Sequence, residues 1–433
     1  MRGLYSDFTE RASQESEELT AQRKIAIVGG CGHVGLPLGV SLANVGTRIT
    51  LLDINPEAIE QVKNGRFPFL EKDGDVHLAE ALANGMKVTD EPEALRGCDT
   101  VIFVVGTPVD EHLNPRISDL LDTVKTYGPY LSKNTLIIMR STLYPGTMDY
   151  LQRYLKEQNL DFQLAFCPER VAQGFALEEI QDLPQIVSAF SDSAFERAAS
   201  LFSSIAPSLV RLAPMEAEMA KLMTNSWRYV EFAIANQFYI MAEKAGINFH
   251  RVYGAIRYNY PRAKGFKAPG FTAGPCLFKD TMQLSSFFDH QFNLGHAAML
   301  VNEGLASFVV QMAENRLTGN LQGKKIGLLG MTFKANSDDT RESLSFRVKK
   351  LLVFNGAEVK CHDPYLADSH SLDDVLNCDC VILTTPHNEY RDLNFKQPLI
   401  DVWGYYRECD LEIIASTNRE HSDGGRESPT RTQ

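Results

Sequence analysis

The stretch Lys24–Asp53, KIAIVGGCGHVGLPLGVSLANVGTRITLLD, decides the fold. It opens on a short apolar, β-branched run, Lys24–Val28, which reads as a strand buried on both faces of a parallel sheet. A turn carrying Gly30, Gly32 and Gly35 follows, then a helix-like segment, then a second apolar run that ends at Asp53. Glycines at this spacing permit a tight turn, let backbone N–H groups approach a pyrophosphate, and let the helix pack closely on the strand with its N-terminus facing the anion. Asp53 stands where a carboxylate accepts hydrogen bonds from both ribose hydroxyls of a dinucleotide, and Ile54 and Asn55 after it offer no cation for a 2′-phosphate. The unit therefore favours NAD over NADP, with His33 and Val34 of the turn lining the cofactor.

The same rhythm extends outward. Runs beginning at Thr47, Asp99, Thr135 and Gln163 are strand-like and alternate with longer amphipathic segments, the pattern of a parallel α/β sheet. From about Ala213 these runs stop, and helical spacing governs the chain from Pro214 to roughly Gly246 and on to about Leu317. At Gly323 the α/β rhythm resumes with KKIGLLGMTFK, AEVKCHDPY, CVILTTPH and PLIDVW. The expected fold class is α/β, with two Rossmann-like parallel-sheet domains bridged by a long central helix and a helical middle domain. Expected boundaries are a flexible tail over 1–23, a cofactor domain over 24–212, a helical domain over 213–318, a second α/β domain over 319–415 and a flexible tail over 416–433.

At 433 residues the chain is about three domains long at roughly 150 residues each, ample for a large core. Its 43 Lys and Arg against 55 Asp and Glu give a net charge of −12, which argues against nucleic-acid phosphate as the main partner but leaves room for a local basic pocket. Eight cysteines (31, 98, 167, 276, 361, 378, 380 and 409) are too sparse for a disulfide framework and suit a reducing, cytoplasmic compartment. The first 23 residues lack the apolar core of a signal peptide, and Tyr229–Ala242, the most apolar long stretch, is broken by Glu231, Asn236 and Gln237. No membrane association is expected.

Two further segments carry chemistry. In EMAKLMTNSWRY, Lys221 and Asn225 lie four apart on one helical face, where the lysine suits an oxyanion or a proton transfer; the plainer alternative is a solvated helix edge. In GFTAGPCLFKD, Cys276 sits in a Gly/Pro-rich turn ahead of a helix, with Lys279 and Asp280 after it. The helix N-terminus and Lys279 are both expected to lower the thiol pKa, and Asp280 is placed to act as a base toward water; simple burial of the cysteine is the alternative.

Taken with Thr107-Pro108, RSTLYPGT from Arg140, CPERVAQG from Cys167 and MTFKANSDDTRES from Met331, these segments resemble the NAD-dependent UDP-sugar 6-dehydrogenases from about Lys24 to Trp403. The resemblance implies a four-electron oxidation of the sugar's primary alcohol to a carboxylate by two NAD, with Cys276 as nucleophile of a thiohemiacetal and then a thioester. It further implies Lys221 as oxyanion stabiliser, Asn225 and Thr142 as positioners of water or the reacting oxygen, Glu169 as acid/base, and Asp280 as support for proton transfer. Thr107 and Thr142 would also touch the cofactor. Glu169, Arg170, Lys221, Asn225, Arg262, Lys267, Gly274, Lys334 and Arg341 would contact the UDP-sugar, with Arg262 reaching over from a partner subunit, since the family implies a homodimer built through the helical middle.

The Cys-Pro-Glu-Arg-Val segment looks like the N-acetylhexosamine enzymes, whereas Lys279-Asp280 looks like the glucose enzymes, so the sugar stays open between the two. Two other functions compete: a two-electron β-hydroxyacid dehydrogenase, which needs no cysteine, and a catalytically silent nucleotide-sugar binding protein. Cys378 and Cys380, two apart in a strand, point to opposite faces and make a poor chelate with His387, so no metal is expected.

Overall fold

The computed structural model describes residues 23–106, 116–271, 274–406 and 411. Eight strands form the first sheet: β1 (Lys24–Val28), β2 (Arg48–Leu52), β3 (Lys87–Thr89), β4 (Thr100–Phe103), β5 (Leu136–Met139), β6 (Gln163–Phe166), β7 (Gln185–Ala189) and β8 (Leu209–Arg211), in the order 3-2-1-4-5-6-7-8. The order reverses at β1, which pairs in parallel with β2 on one side and β4 on the other. Such a reversal leaves a crevice at the carboxyl ends of the strands, where open α/β sheets bind ligands. The glycine turn after β1 opens into it.

The sheet is less regular than a purely parallel reading predicts. β7 runs antiparallel to β6, with Ala165 opposite Ala189, and β8 then pairs in parallel with β7. Two apolar clusters cover the faces, one including Ile25, Ile27, Leu36 and Ile102, the other Ala26, Val28, Val101 and Ile137. Alternate residues of β1 thus enter opposite cores, as the pleat requires.

A 31-residue helix, Pro214–Lys244, leaves the end of this sheet and is about 46 Å long. Pro214 stands in its first turn, Glu216 accepts the Ala213 N–H at 2.8 Å, and Gly246 with φ +69° follows its end. Helices Leu277–Phe287 and Asn293–Arg316 pack against it, with Tyr229, Ala233, Leu277 and Ala298 forming a shared apolar cluster. Buried Asn236 and Asn302 hydrogen-bond each other at 2.9 Å, and Asn236 also holds the Gly270 backbone.

The second sheet contains β9 (Lys325–Leu329), β10 (Glu358–His362), β11 (Cys380–Leu383) and β12 (Leu399–Asp401) in the order 10-9-11-12, all parallel. Its own reversal lies at β9, and the MTFKANSDDTRES segment follows that strand directly. The α/β fold with two sheet domains and a helical middle region is therefore present. Among the described residues no helix is long and apolar enough to cross a membrane.

Candidate active site

The glycine turn has the division of labour that its spacing implies. A Cβ on Gly30 would meet Leu51 Cβ at 2.7 Å, and one on Gly35 would meet the Gly29 carbonyl oxygen at 2.3 Å, so both serve the packing of helix Gly35–Asn44 on the sheet. Gly32 differs, because its Cβ would find only the Gly29 oxygen, at 3.7 Å. The space there is open to a ligand. Asp53 is fixed beside it by three backbone donors: Cys31 N–H to Oδ2 at 2.9 Å, and Ile54 and Asn55 N–H to Oδ1 at 2.8 and 3.1 Å.

His33 stacks on Phe69 with centroids 4.0 Å apart, and its Nε2 lies 4.0 Å from Asp339 Oδ2 of the second α/β domain. Burial and the nearby Arg341 push the imidazole below its ordinary pKa, so this contact involves a neutral ring near pH 7. Asp339 also accepts from Gln173 Nε2 at 3.1 Å and from Arg341, whose Nε and Nη2 reach it at 3.0 and 2.6 Å. Lys334 Nζ donates to the Gln173 carbonyl at 2.8 Å, and the Leu70 N–H donates to Asp338 at 3.2 Å. The segment after β9 is thus stitched to loops of the cofactor domain.

Between these two domains the long helix presents Lys221 and Asn225, both buried. Asn225 Nδ2 donates to Asp280 Oδ2 at 2.6 Å, and the other Asp280 oxygen lies 2.9 Å from Lys279 Nζ. Asp280 is fully buried in the first turn of the Leu277–Phe287 helix, and Cys276 is that helix's N-cap residue. Lys221, Asn225, Cys276 and Asp280 therefore converge, the alternative of a solvated Lys/Asn edge being excluded by burial. Gly274, with φ +100°, lets the Cys276 loop close on Phe333, whose ring would lie 2.8 Å from a Cβ, and its N–H reaches the Glu342 carbonyl at 3.4 Å.

One electrostatic expectation fails. The Cys276 thiol is raised, not lowered: desolvation acts first, the Asp280 carboxylate adds to it, and Lys221, Lys279 and Arg341 oppose them. Although Cys276 is an exposed residue, the surrounding protein still penalises a thiolate more than the helix end and Lys279 favour it.

Glu169 is held in a network of its own. Its carboxylate pairs with Arg140, a guanidinium only 2% exposed, and accepts the Arg170 and Val171 N–H groups at 2.6 and 2.9 Å. Arg140 in turn donates to the Cys167 carbonyl at 3.1 Å and Gln185 Oε1 at 3.0 Å. Arg170 donates to the Pro184 carbonyl, and half-buried Thr142 follows β5 in the loop that Arg140 opens. Arg262 and Lys267 are exposed, with the Arg262 guanidinium 4.9 Å from the Tyr260 ring centre; among the described residues neither bonds to the Cys276 group. Thr107 lies outside the described residues. Arg140, Gln173 and Asp339 were missed by the sequence reading, although a basic residue at a strand end and a carboxylate beside Arg341 were signals available for two of them.

Three models of the UDP-glucose/GDP-mannose dehydrogenase family match in chain order: the NAD binding domain over residues 23–206, the central domain over 215–304 and the UDP binding domain over 327–407. The UDP-N-acetyl-D-mannosamine dehydrogenase of Pyrococcus horikoshii is 32% identical over 388 residues, covering 86% of this chain and 91% of that one. The chain belongs to the UDP-glucose/GDP-mannose dehydrogenase family. Among solved structures, a UDP-glucose dehydrogenase from Pyrobaculum islandicum superposes with a TM-score of 0.82 at 25% identity, covering 88% of this chain and 98% of that one. The UDP-glucose 6-dehydrogenase of Bacillus subtilis is 28% identical over 355 residues, 79% of this chain and 80% of its own.

As a member of this family the protein is an oxidoreductase that uses NAD, and its second α/β domain is the UDP-binding domain. The turn fits the cofactor: the open side of Gly32 leaves room for a pyrophosphate and Asp53 is held ready for ribose hydroxyls. Cys276 stands between the long helix, whose Lys221 acts on its thiol, and the UDP-binding domain, whose Arg341 does the same.

Proposed function

We propose that this dehydrogenase oxidises the primary alcohol of a UDP-N-acetylhexosamine to the carboxylate in two successive two-electron steps joined by a thioester on Cys276. The convergence of Cys276 with Lys221, Asn225 and Asp280 carries this reading, because a two-electron oxidation needs no thiol at that place. NAD bound at the Gly30–Gly35 turn supplies the acceptor for each hydride, so two are consumed per sugar.

The chain's own groups have distinct tasks. Lys221 faces the reacting oxygen and stabilises the alkoxide and the later oxyanions with its ammonium. The Cys276 sulfur adds to the aldehyde carbon of the first oxidation, forming a C–S bond and a hydroxyl, the thiohemiacetal. Loss of the hydroxyl proton and a hydride converts it to the thioester, which water cleaves at the C–S bond to return the thiol and release the acid. In sum, the alcohol and one water become a carboxylate, two hydrides and three protons. Asp280, oriented by the Asn225 amide, takes protons from the thiol and from water, and Thr142 holds that water. Glu169, committed to Arg140, anchors the loop beside the sugar, and Arg170, Gly274, Lys334, Arg341, Arg262 and Lys267 contact the nucleotide sugar or its phosphates.

The Cys-Pro-Glu-Arg-Val segment and the similarity to the Pyrococcus mannosamine enzyme favour the N-acetylhexosamine; Lys279-Asp280 and the Bacillus relative favour UDP-glucose as the second reading. A homodimer accompanies either. Met223, Trp227, Ile234, Phe238 and Met241 follow helical spacing on the long helix and remain 43–63% exposed, a stripe that a second copy would cover. The decisive experiment counts NADH per sugar with UDP-N-acetylmannosamine, UDP-N-acetylglucosamine and UDP-glucose. Two NADH and a uronic acid are expected; one NADH and an aldehyde or ketone would refute the thioester route, and binding without turnover would identify a silent relative.

A further inference from the structure

Glu218 is the one carboxylate of the long helix that is fully buried, and it lies three residues before Lys221. Its two oxygens are divided between two donors: Oε2 accepts the Gly146 N–H at 2.7 Å and Oε1 accepts the Met148 N–H at 2.8 Å. These donors open the Thr147–Glu157 helix, whose N-cap residue, Gly146, has no side chain to serve them. Glu218 caps that helix from outside. The loop it grips, Arg140–Gly146, carries Thr142 on its way from β5, while the helix that carries Glu218 also carries Lys221 and Asn225.

We infer that Glu218 is a positioning residue that locks the Thr142 loop of the cofactor domain to the Lys221 helix and so fixes the distance between the two halves of the reacting centre. Several observations favour this over incidental capping. A charged carboxylate without solvent is costly to bury, and two backbone donors only partly offset that burden, so a Gln or Ser cap would hold the helix end more cheaply. Only the carboxylate presents two equivalent acceptor oxygens to both donors at once. Burial accordingly pushes its pKa up to about 7, the N–H groups of Met148 and Gly146 pull it down, and Asp149 in the first turn of the capped helix pushes it further up. Among the described residues Asp149 is the other charged side chain whose field acts on it from the facing helix. Protonation turns one acceptor oxygen into a hydroxyl and releases one donor, so the lock closes as pH rises through about 7 and loosens as it falls.

This inference rests on the oxidation proposed above, and its test separates the two. Hydrogen exchange on the ligand-free protein, corrected for intrinsic rates, is expected to show Gly146 and Met148 protected at pH 8 and one of the two amides at least tenfold less protected at pH 5.5 or in Glu218→Gln. The rest of the Thr147–Glu157 helix should change little. With NAD and the active UDP-sugar, Glu218→Gln is expected to lower kcat at least tenfold while each KM stays within about twofold, and to remove the acid limb of kcat near pH 7. Glu218→Asp, which keeps the charge but shortens the reach, should retain that limb at reduced kcat. Unchanged exchange at both amides overturns the inference whatever the activity, and the wild-type pH series decides this even if the variants fail to fold. A folded Glu218→Gln with wild-type kcat and acid limb overturns it equally, whereas wild-type protein inactive on every UDP-sugar refutes the proposed function instead.

Discussion

Replacing Arg140 with Met tests whether Glu169 is a structural tie. Arg140 is almost fully buried, donates to the Cys167 carbonyl and to Gln185, pairs with Glu169, and has Phe202 stacked 5.0 Å from its guanidinium carbon. Methionine fills a similar volume but leaves the Glu169 carboxylate, whose side chain is only 12% exposed, without its counter-charge. Breaking a buried pair from one side typically destabilises by about 3–5 kcal/mol, a large part of the roughly 5–15 kcal/mol that holds a domain together. Glu169→Leu, which strands the guanidinium, should be similar. The double variant has no stranded charge, so it should fall short of the summed singles by at least about 2 kcal/mol. Native-state hydrogen exchange at β5 and β6 amides reads this locally, without interference from the other domain. Additivity within about 0.5 kcal/mol would show the pair uncoupled and return Glu169 to the role of a free acid/base.

Three other outcomes follow from the geometry. Gly32→Ala should fold with an unchanged ligand-free Tm yet bind NAD at least tenfold more weakly by calorimetry, whereas Gly35→Ala, driven into the Gly29 carbonyl, should lose several degrees of Tm without any ligand. Because the Cys276 thiol is raised, its thiolate fraction should climb about tenfold per pH unit from pH 7 to 9, and its iodoacetamide alkylation rate should rise with it and show no plateau there; Lys221→Met should slow alkylation at every pH and Asp280→Asn should speed it. Gly274→Ala combines a left-handed backbone with a ring 2.8 Å away, so kcat/KM should fall at least tenfold while NAD affinity stays within twofold.

The sequence made the long periodic features legible, since the strand–glycine–strand unit and the helix spacing of Lys221 and Asn225 are set by local backbone geometry. Three strands escaped it. β3 and β8 have three residues each, too few to show a period, and β7 follows Pro184 directly and is made a strand by its pairing with β6 and β8. The antiparallel turn at β7 leaves no mark in composition. At the site, residue types announced Cys276 and Asp280, but the sign of the thiol shift depended on desolvation, which is a property of the packed protein and not of neighbours along the chain. Arg140 was hidden for the same reason, its partner Glu169 lying 29 residues away.

The contact of Gly274 with Phe333 constrains how this scaffold can be recombined. The Cys276 loop is formed by the middle segment, yet the wall that sets its path belongs to the UDP-binding domain, whose Asp339 also meets Gln173 of the first domain. A chimera that imports a relative's C-terminal domain to change nucleotide preference would also import a new mould for the thiol loop. Grafts should therefore travel as sets, with residues 270–276 and the Gln173 loop moved alongside the segment after β9.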